Sequence, residues 1–161
     1  MADIIVDGQV RVVFFPTIAA GTGIPTAAEI TAGTILHDTL TPDGVAGFDP
    51  DPGEVDNTAY GSTFDTKLPG TASFSGTRLT LKKQSGTDTV HATLTAFNTA
   101  GYIGFRFGSP KGTAAAAADK WTIYPVRTGS WSYVPPERNT VLRYWVAVPI
   151  SSDPKFDVPI T

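Results

Sequence analysis

Tyr102-Ile103-Gly104-Phe105-Arg106-Phe107 is the stretch that decides the fold class. Ile103, Phe105 and Phe107 share one phase, and Tyr102, Gly104 and Arg106 share the other. That two-residue period belongs to a β-strand with one face in a core. Working outward, Val10–Phe15 is a second strand, apolar on both faces except for Arg11. Thr71–Lys83 is a long strand candidate with Ala72 and Phe74 in one phase and Leu79 and Leu81 in the other. The phase changes near Gly76, which predicts a bulge or a kink there. Trp121–Val134 places Trp121, Ile123, Trp131 and Tyr133 in one phase, favouring burial on a common face. Pro125 inside it implies an edge or an irregularity. Val141–Val148 is apolar in both phases, with Tyr144 and Trp145 adjacent. It reads as buried on both sides, by its own core or by a neighbouring subunit. Phe156–Ile160 adds a last short strand.

Sixteen glycines and thirteen prolines punctuate these runs, the composition of a mainly β domain with many turns. The expected architecture is a β-sandwich or barrel with one flanking helix and long loops. The helix is placed at Thr87–Ala100, where Val90, Leu94 and Phe97 fall at helical spacing, Thr87 or Asp88 caps the start and Gly101 stops it. Val90, Ala92, Leu94 and Ala96 also alternate as in a strand, and the caps favour the helix. Ile24–Leu36, broken by Pro25 and Gly33, reads as a shaped connector, a turn of helix or an extended arm. Thr41–Gly70 is long and acidic, with Asp43, Asp49, Asp51, Glu54, Asp56 and Asp65, and reads as a functional loop. Its Phe48, Tyr60 and Phe64 predict that parts of it pack against something. The chain is thus expected to be one domain over 1–161, with an arm at about 16–40 and a loop at about 41–70.

Charge is split along the chain. Residues 1–66 hold ten acidic residues and one basic one, Arg11; residues 67–161 hold eleven basic and five acidic. The formal charges are −9 and +6, and complementary fields of this kind favour docking of one copy on another. The chain has no cysteine, which excludes thiol catalysis, disulfides and cysteine zinc sites. The opening Met1-Ala2-Asp3-Ile4-Ile5-Val6-Asp7-Gly8 has no signal-peptide pattern, and no window is long and apolar enough to span a bilayer, so no membrane partner is expected.

The chemical motifs are weak. Asp49–Asp56 could be read as a calcium loop, but its prolines and the missing flanking helices favour a solvated acidic run. His37 and His91 are the only histidines, and no Gly-x-Ser-x-Gly elbow accompanies them. Gly108–Thr113 has the wrong order for a phosphate loop and reads as a turn. The tryptophans could form a sugar platform, although core and interface are the ordinary roles of such residues. Arg78, Lys82 and Lys83 lack the basic stripe of a nucleic-acid reader. No cofactor, metal or catalytic residue is expected.

The order of elements carries more. A strand leads to Ile24-Pro25-Thr26-Ala27-Ala28-Glu29-Ile30-Thr31-Ala32-Gly33, then an acidic loop, a strand and a helix ending in Gly101-Tyr102. Asp119-Lys120-Trp121-Thr122-Ile123-Tyr124-Pro125-Val126-Arg127-Thr128-Gly129 follows, and Pro136-Glu137-Arg138-Asn139-Thr140 precedes a final apolar strand. Over most of the chain this resembles the major tail tube protein of long, flexible-tailed (siphovirus) bacteriophages, particularly those infecting actinobacteria. The resemblance implies a structural virion protein without enzyme activity, assembled in the host cytoplasm. It further implies hexameric rings of identical copies that stack into a hollow tube for DNA. Strands of six copies would line the channel, and loops and arms would link the rings. Tape measure, terminator and baseplate proteins would be its partners. An acidic balance suits such a conduit, because a basic lumen would hold phosphates. The candidate contacts between copies are Pro25, Glu29, Ile30, Phe48, Tyr60, Phe64, Tyr144 and Trp145. The alternatives are another tail ring protein, such as a terminator or baseplate hub, or a carbohydrate-binding β-sandwich.

Overall fold

Val10–Phe15 forms β1, and burial on both of its faces determines the layering. Val12 and Phe14 point into one core, while Val13 and Phe15 point into another. The structure is a computed structural model that describes residues 6–161. Most of the opening run that lacks a signal-peptide pattern, residues 1–5, therefore lies outside the described residues. β1 is followed by α1 (Ala27–Thr31), β2 (Thr34–Ile35), β3 (Leu40–Ala46), β4 (Asp51–Asp56), β5 (Lys67–Ser73) and β6 (Arg78–Lys82). Then come α2 (Thr89–Leu94), β7 (Ala100–Phe107), β8 (Lys120–Arg127), β9 (Trp131–Tyr133), β10 (Arg143–Ala147) and β11 (Lys155–Pro159).

Three antiparallel sheets result. The first has five strands in the order β11-β8-β7-β1-β2, the second four in the order β3-β6-β10-β9, and β4 and β5 pair as a separate ribbon. The two larger sheets are open, with no closure into a barrel. They face each other across a core of Val12, Phe14, Leu79, Leu81, Ile103, Phe105, Tyr124, Val126, Tyr144 and Val146, to which α2 adds Val90 and Leu94. The opposite face of the five-stranded sheet carries a second core of Val13, Phe15, Ile30, Trp121, Ile123 and Ile160. The expectation of a mainly β fold holds, while a barrel does not, and the described residues hold two short helices instead of one.

The segment Ile24–Leu36 is the main correction. It is no projecting arm. Pro25, Ile30 and Leu36 are buried. Thr26 caps α1: its Oγ1 accepts from the Glu29 N–H at 3.2 Å, and Glu29 Oε2 accepts from the Thr26 N–H at 2.7 Å. This reciprocal box satisfies two helix-end donors at once. The Ala27 N–H donates to the Thr161 carbonyl at 2.7 Å, tying the helix start to the chain end. At Gly33 a Cβ would stand 2.6 Å from Val13 Cγ1 and 2.7 Å from the Phe14 carbonyl. Only glycine lets this turn lie so close on β1.

Other strands are shorter than the apolar runs suggest. Thr71–Lys83 is cut at Gly76, which has φ +66°, so β5 and β6 belong to different sheets. Trp121–Val134 likewise divides into β8 and β9, which lie in different sheets; a shared phase therefore does not mean a shared face. Pro125 sits near the end of β8, where its carbonyl accepts from the Ser151 N–H at 2.8 Å outside the β11 ladder. Its missing N–H leaves that ladder intact, as an irregular position allows. Val141 and Leu142 are exposed and outside β10. β10 itself alternates, so it is half-buried and not doubly buried. α2 spans six residues, capped by Asp88 Oδ1 accepting from the His91 N–H at 2.9 Å. Phe97 lies beyond the helix and is exposed, and Gly101 is already in β7.

Candidate assembly surface

The acidic stretch read as a loop over 41–70 is a hairpin that runs out of the four-stranded sheet. β3 pairs with β6, then the same two chain segments pair again as β4 and β5. The break between the halves is built by two glycines facing each other. Gly47 has φ +75° and Gly76 φ +66°. A Cβ on Gly47 would stand 2.6 Å from the Gly76 carbonyl carbon. Beside the break, Phe48 enters the core and packs edge-on against Tyr124 and Phe105, with ring centroids 5.0 Å and 5.6 Å apart. Half-buried Phe74 packs edge-on against Tyr124 from the other strand, at 6.1 Å. These aromatics fix the root of a ribbon whose remainder is solvent-covered.

Nearly every residue from 51 to 73 is exposed. Val55 and Leu68 pair across the ribbon and are both about half exposed. Glu54 and Asp56 alternate with Val55, and Glu54 meets Lys67 Nζ at 2.5 Å. The ribbon is thus amphipathic with nothing on its apolar face. A two-stranded hairpin of this kind is marginal alone in water. Its tip is nevertheless shaped. The Thr66 N–H donates to Thr58 Oγ1 at 3.0 Å, Thr66 Oγ1 to the Asn57 carbonyl at 2.9 Å, and Ser62 Oγ to the Phe64 carbonyl at 2.7 Å. On this scaffold Tyr60 and Phe64 stand bare, at 110% and 76% relative exposure.

Among the sequence-derived contact candidates, then, Tyr60 and Phe64 are on the surface and Trp145 is partly so. Pro25, Ile30, Phe48 and Tyr144 lie inside the subunit's own core. Glu29 is engaged in the capping box, and its Oε1 also accepts from the Ala19 N–H at 2.7 Å. Those backbone donors hold its carboxyl below the usual range. The signal for this structural role was legible in the spacing Thr26-x-x-Glu29.

The outer face of the four-stranded sheet is a second surface of note. The β6–β10 register sets Lys82 opposite Arg143, Thr80 opposite Trp145 and Arg78 opposite Ala147. The alternating residues Leu79, Leu81, Tyr144 and Val146 fill the core. Sequence reasoning missed this cluster because Arg143 joins it through strand pairing.

Elsewhere the chemistry is structural. Arg11 and Arg106 are buried register partners on β1 and β7. Arg106 donates to Asp119 Oδ2 at 2.9 Å and to the carbonyls of Ala114, Pro110 and Thr113. Arg11 shares the Thr113 carbonyl. The Gly108–Asp119 turn therefore directs carbonyls inward at cations, the opposite polarity to a phosphate cradle. The three tryptophans have three surroundings: Trp121 is buried in the second core, Trp131 meets His91 edge-on, and Trp145 is on the outer face. They form no common platform. Among the described residues, no group of three or more His, Cys, Asp or Glu is placed to hold a metal ion. No helix there is long and apolar enough to cross a membrane.

A family model described as phage tail tube protein matches residues 1–161. The chain belongs to the phage tail tube protein family. No curated protein matches this tail tube chain. Among solved structures it is similar to a chain in a cryo-EM structure of the anti-feeding prophage baseplate, 6-fold symmetrised. That likeness has 10% identity, covers 96% of each chain and has a TM-score of 0.59. At such identity the likeness is one of fold. The tail tube protein is thus a structural component of a phage tail, and its family makes it a component of the virion.

Proposed function

We propose that this chain is the repeating subunit of a tail tube, self-assembling into stacked hexameric rings through which phage DNA passes to the host. The observation that carries the reading is the β4–β5 ribbon. It has a half-exposed apolar stripe, two bare aromatics on an ordered tip, and an aromatic-pinned root. Burial of such surface stabilises by about 25 cal/mol per Å², and the subunit alone leaves it uncovered. A second copy would cover it. The role is that of a scaffold without catalysis, and its partners are further copies and other tail proteins such as the tape measure, terminator and baseplate proteins.

Negative-stain microscopy of concentrated protein should show rings or tubes. Replacing residues 51–73 with a two-glycine turn should abolish them while circular dichroism and the melting temperature of the monomer stay close to native. Tubes that persist without the ribbon would refute the ribbon's role, and native protein that never forms rings or tubes would refute the reading. A second reading is a terminator or baseplate-hub ring, favoured by the fold shared with a baseplate chain. Copy number per particle separates the two, since a tube subunit is present in very many copies.

A further inference from the structure

We infer that the outer face of the four-stranded sheet binds single-stranded nucleic acid without sequence preference. A base stacks on Trp145, and Arg78, Lys82 and Arg143 hold the phosphates. Such binding needs one subunit only and does not depend on the assembly reading above. The β6–β10 register sets Lys82 opposite Arg143 and Thr80 opposite Trp145, with Arg78 in the next outward-facing pair. Lys82 and Arg143 are thus like charges directly across strands, which destabilise a sheet until an anion covers them. Among the described residues none of the three cations takes part in an ion pair. Lys83, next in sequence, is occupied elsewhere: its Nζ donates to Asp88 Oδ2 at 3.1 Å. Lys82 lies in the field of Asp38, but that carboxylate is bonded first by Lys111. Asp43 is the acid that shares a depression with Arg78 and Arg143. Three cations around it leave the face locally positive. The chain's net charge of −3 does not cancel this, because charges beyond the Debye length of about 10 Å are screened at 0.1 M salt.

Trp145 turns this charge into recognition of a strand. It is partly exposed and lines two depressions, of about 260 Å³ and 420 Å³. The first is shared with Val134, Pro135 and Arg143, the second with Gly47 and Ala147, and Arg78 borders both. The indole is therefore flanked by open space and by guanidinium groups. Every base has a π-face, so an indole accepts any of them, while a basic groove beside it tracks the backbone. From Arg78 to Lys82 the strand advances about 13 Å, the reach of about four stacked nucleotides at ~3.4 Å each. Phosphates on either side of a base stacked on Trp145 thus meet cations at both ends of the row. A duplex keeps its bases paired and offers the indole nothing. An acidic peptide brings charge without a planar partner for the ring.

The test is the fluorescence anisotropy of a labelled oligothymidylate titrated with the full-length protein. Binding should be strongest at low salt. Log K should fall against log salt by about 0.7 for each phosphate neutralised, a slope of about −2 for three cations. Arg143→Gln should make that slope shallower by about 0.7. Trp145→Ala should weaken binding about tenfold and leave the slope unchanged, whereas Trp145→Phe should bind close to native. These side chains lie on an outer face, so each variant should melt close to native by circular dichroism. An oligothymidylate that does not bind at the lowest salt overturns the assignment. So does Trp145→Ala binding like native protein, or an equally tight complex with a duplex of the same length or with polyglutamate. None of these outcomes bears on ring or tube formation, which microscopy decides separately.

Discussion

His91 illustrates what a single residue contributes here. Its ring lies on α2 among Trp131, Tyr133 and Tyr144, with centroids at 4.9, 6.3 and 4.8 Å. Its Nε2 is buried without a partner. Burial first, then Lys83, pushes its pKa below the ordinary imidazole value, with Asp88 opposing. The folded state thus binds this proton more weakly than the unfolded one. Its contribution to stability is complete above the unfolded pKa of about 6.5 and declines as the pH falls below it. The urea midpoint should drop between pH 7 and pH 5, and His91→Phe, which keeps an aromatic ring there, should flatten that drop. An unchanged slope in the variant would assign the effect elsewhere. Arg106 shows the limit of reading at this scale. Its phase on β7 was legible, but its ring of loop carbonyls was not, because those partners come from a turn with no periodicity.

At the scale of elements, legibility followed burial. β1, β7 and the start of β8 were readable because apolar residues recur on a face that packs in the subunit. β4 and most of β5 were read as loop because both of their faces are exposed in the subunit, and Val55 and Leu68 alone are too few apolar residues to set an alternation. The break at Gly76 was legible as a change of phase, yet not as a change of sheet. α1 was undervalued because it contributes one fully buried side chain, Ile30. That one residue is nevertheless an anchor of the second core. Ile30→Ala should destabilise the monomer by about 2–5 kcal/mol, the usual range for emptying such a site. Thr26→Ala should cost about 1 kcal/mol through the lost cap. Denaturant titrations of the two variants would measure both. A negligible effect of Ile30→Ala would return the segment to the role of a connector.

For the whole molecule, the decisive fact is that both cores share β1. Phe14 and Phe15 are neighbours in sequence, 1% and 0% exposed, and belong to opposite layers. The layers should therefore melt together. Phe14→Ala and Phe15→Ala should each destabilise by about 3–5 kcal/mol, with fluorescence and circular dichroism tracing one coincident transition. Separate transitions would mean that β1 does not couple them. The charge split is also partly consumed inside the fold: Lys111 bonds Asp38, and Lys67 bonds Glu54. Formal totals for the two halves of the chain therefore overstate what is offered outside. The path of the hairpin strands has a mechanical corollary. Tension applied at the tip would enter the body along β3 and β6, and β6 is held edge-on by β10 through a ladder perpendicular to the pull. Such a ladder is loaded in shear, so its bonds resist together and do not unzip one at a time. A filament joined through these tips would carry stretching load on its strongest coordinate.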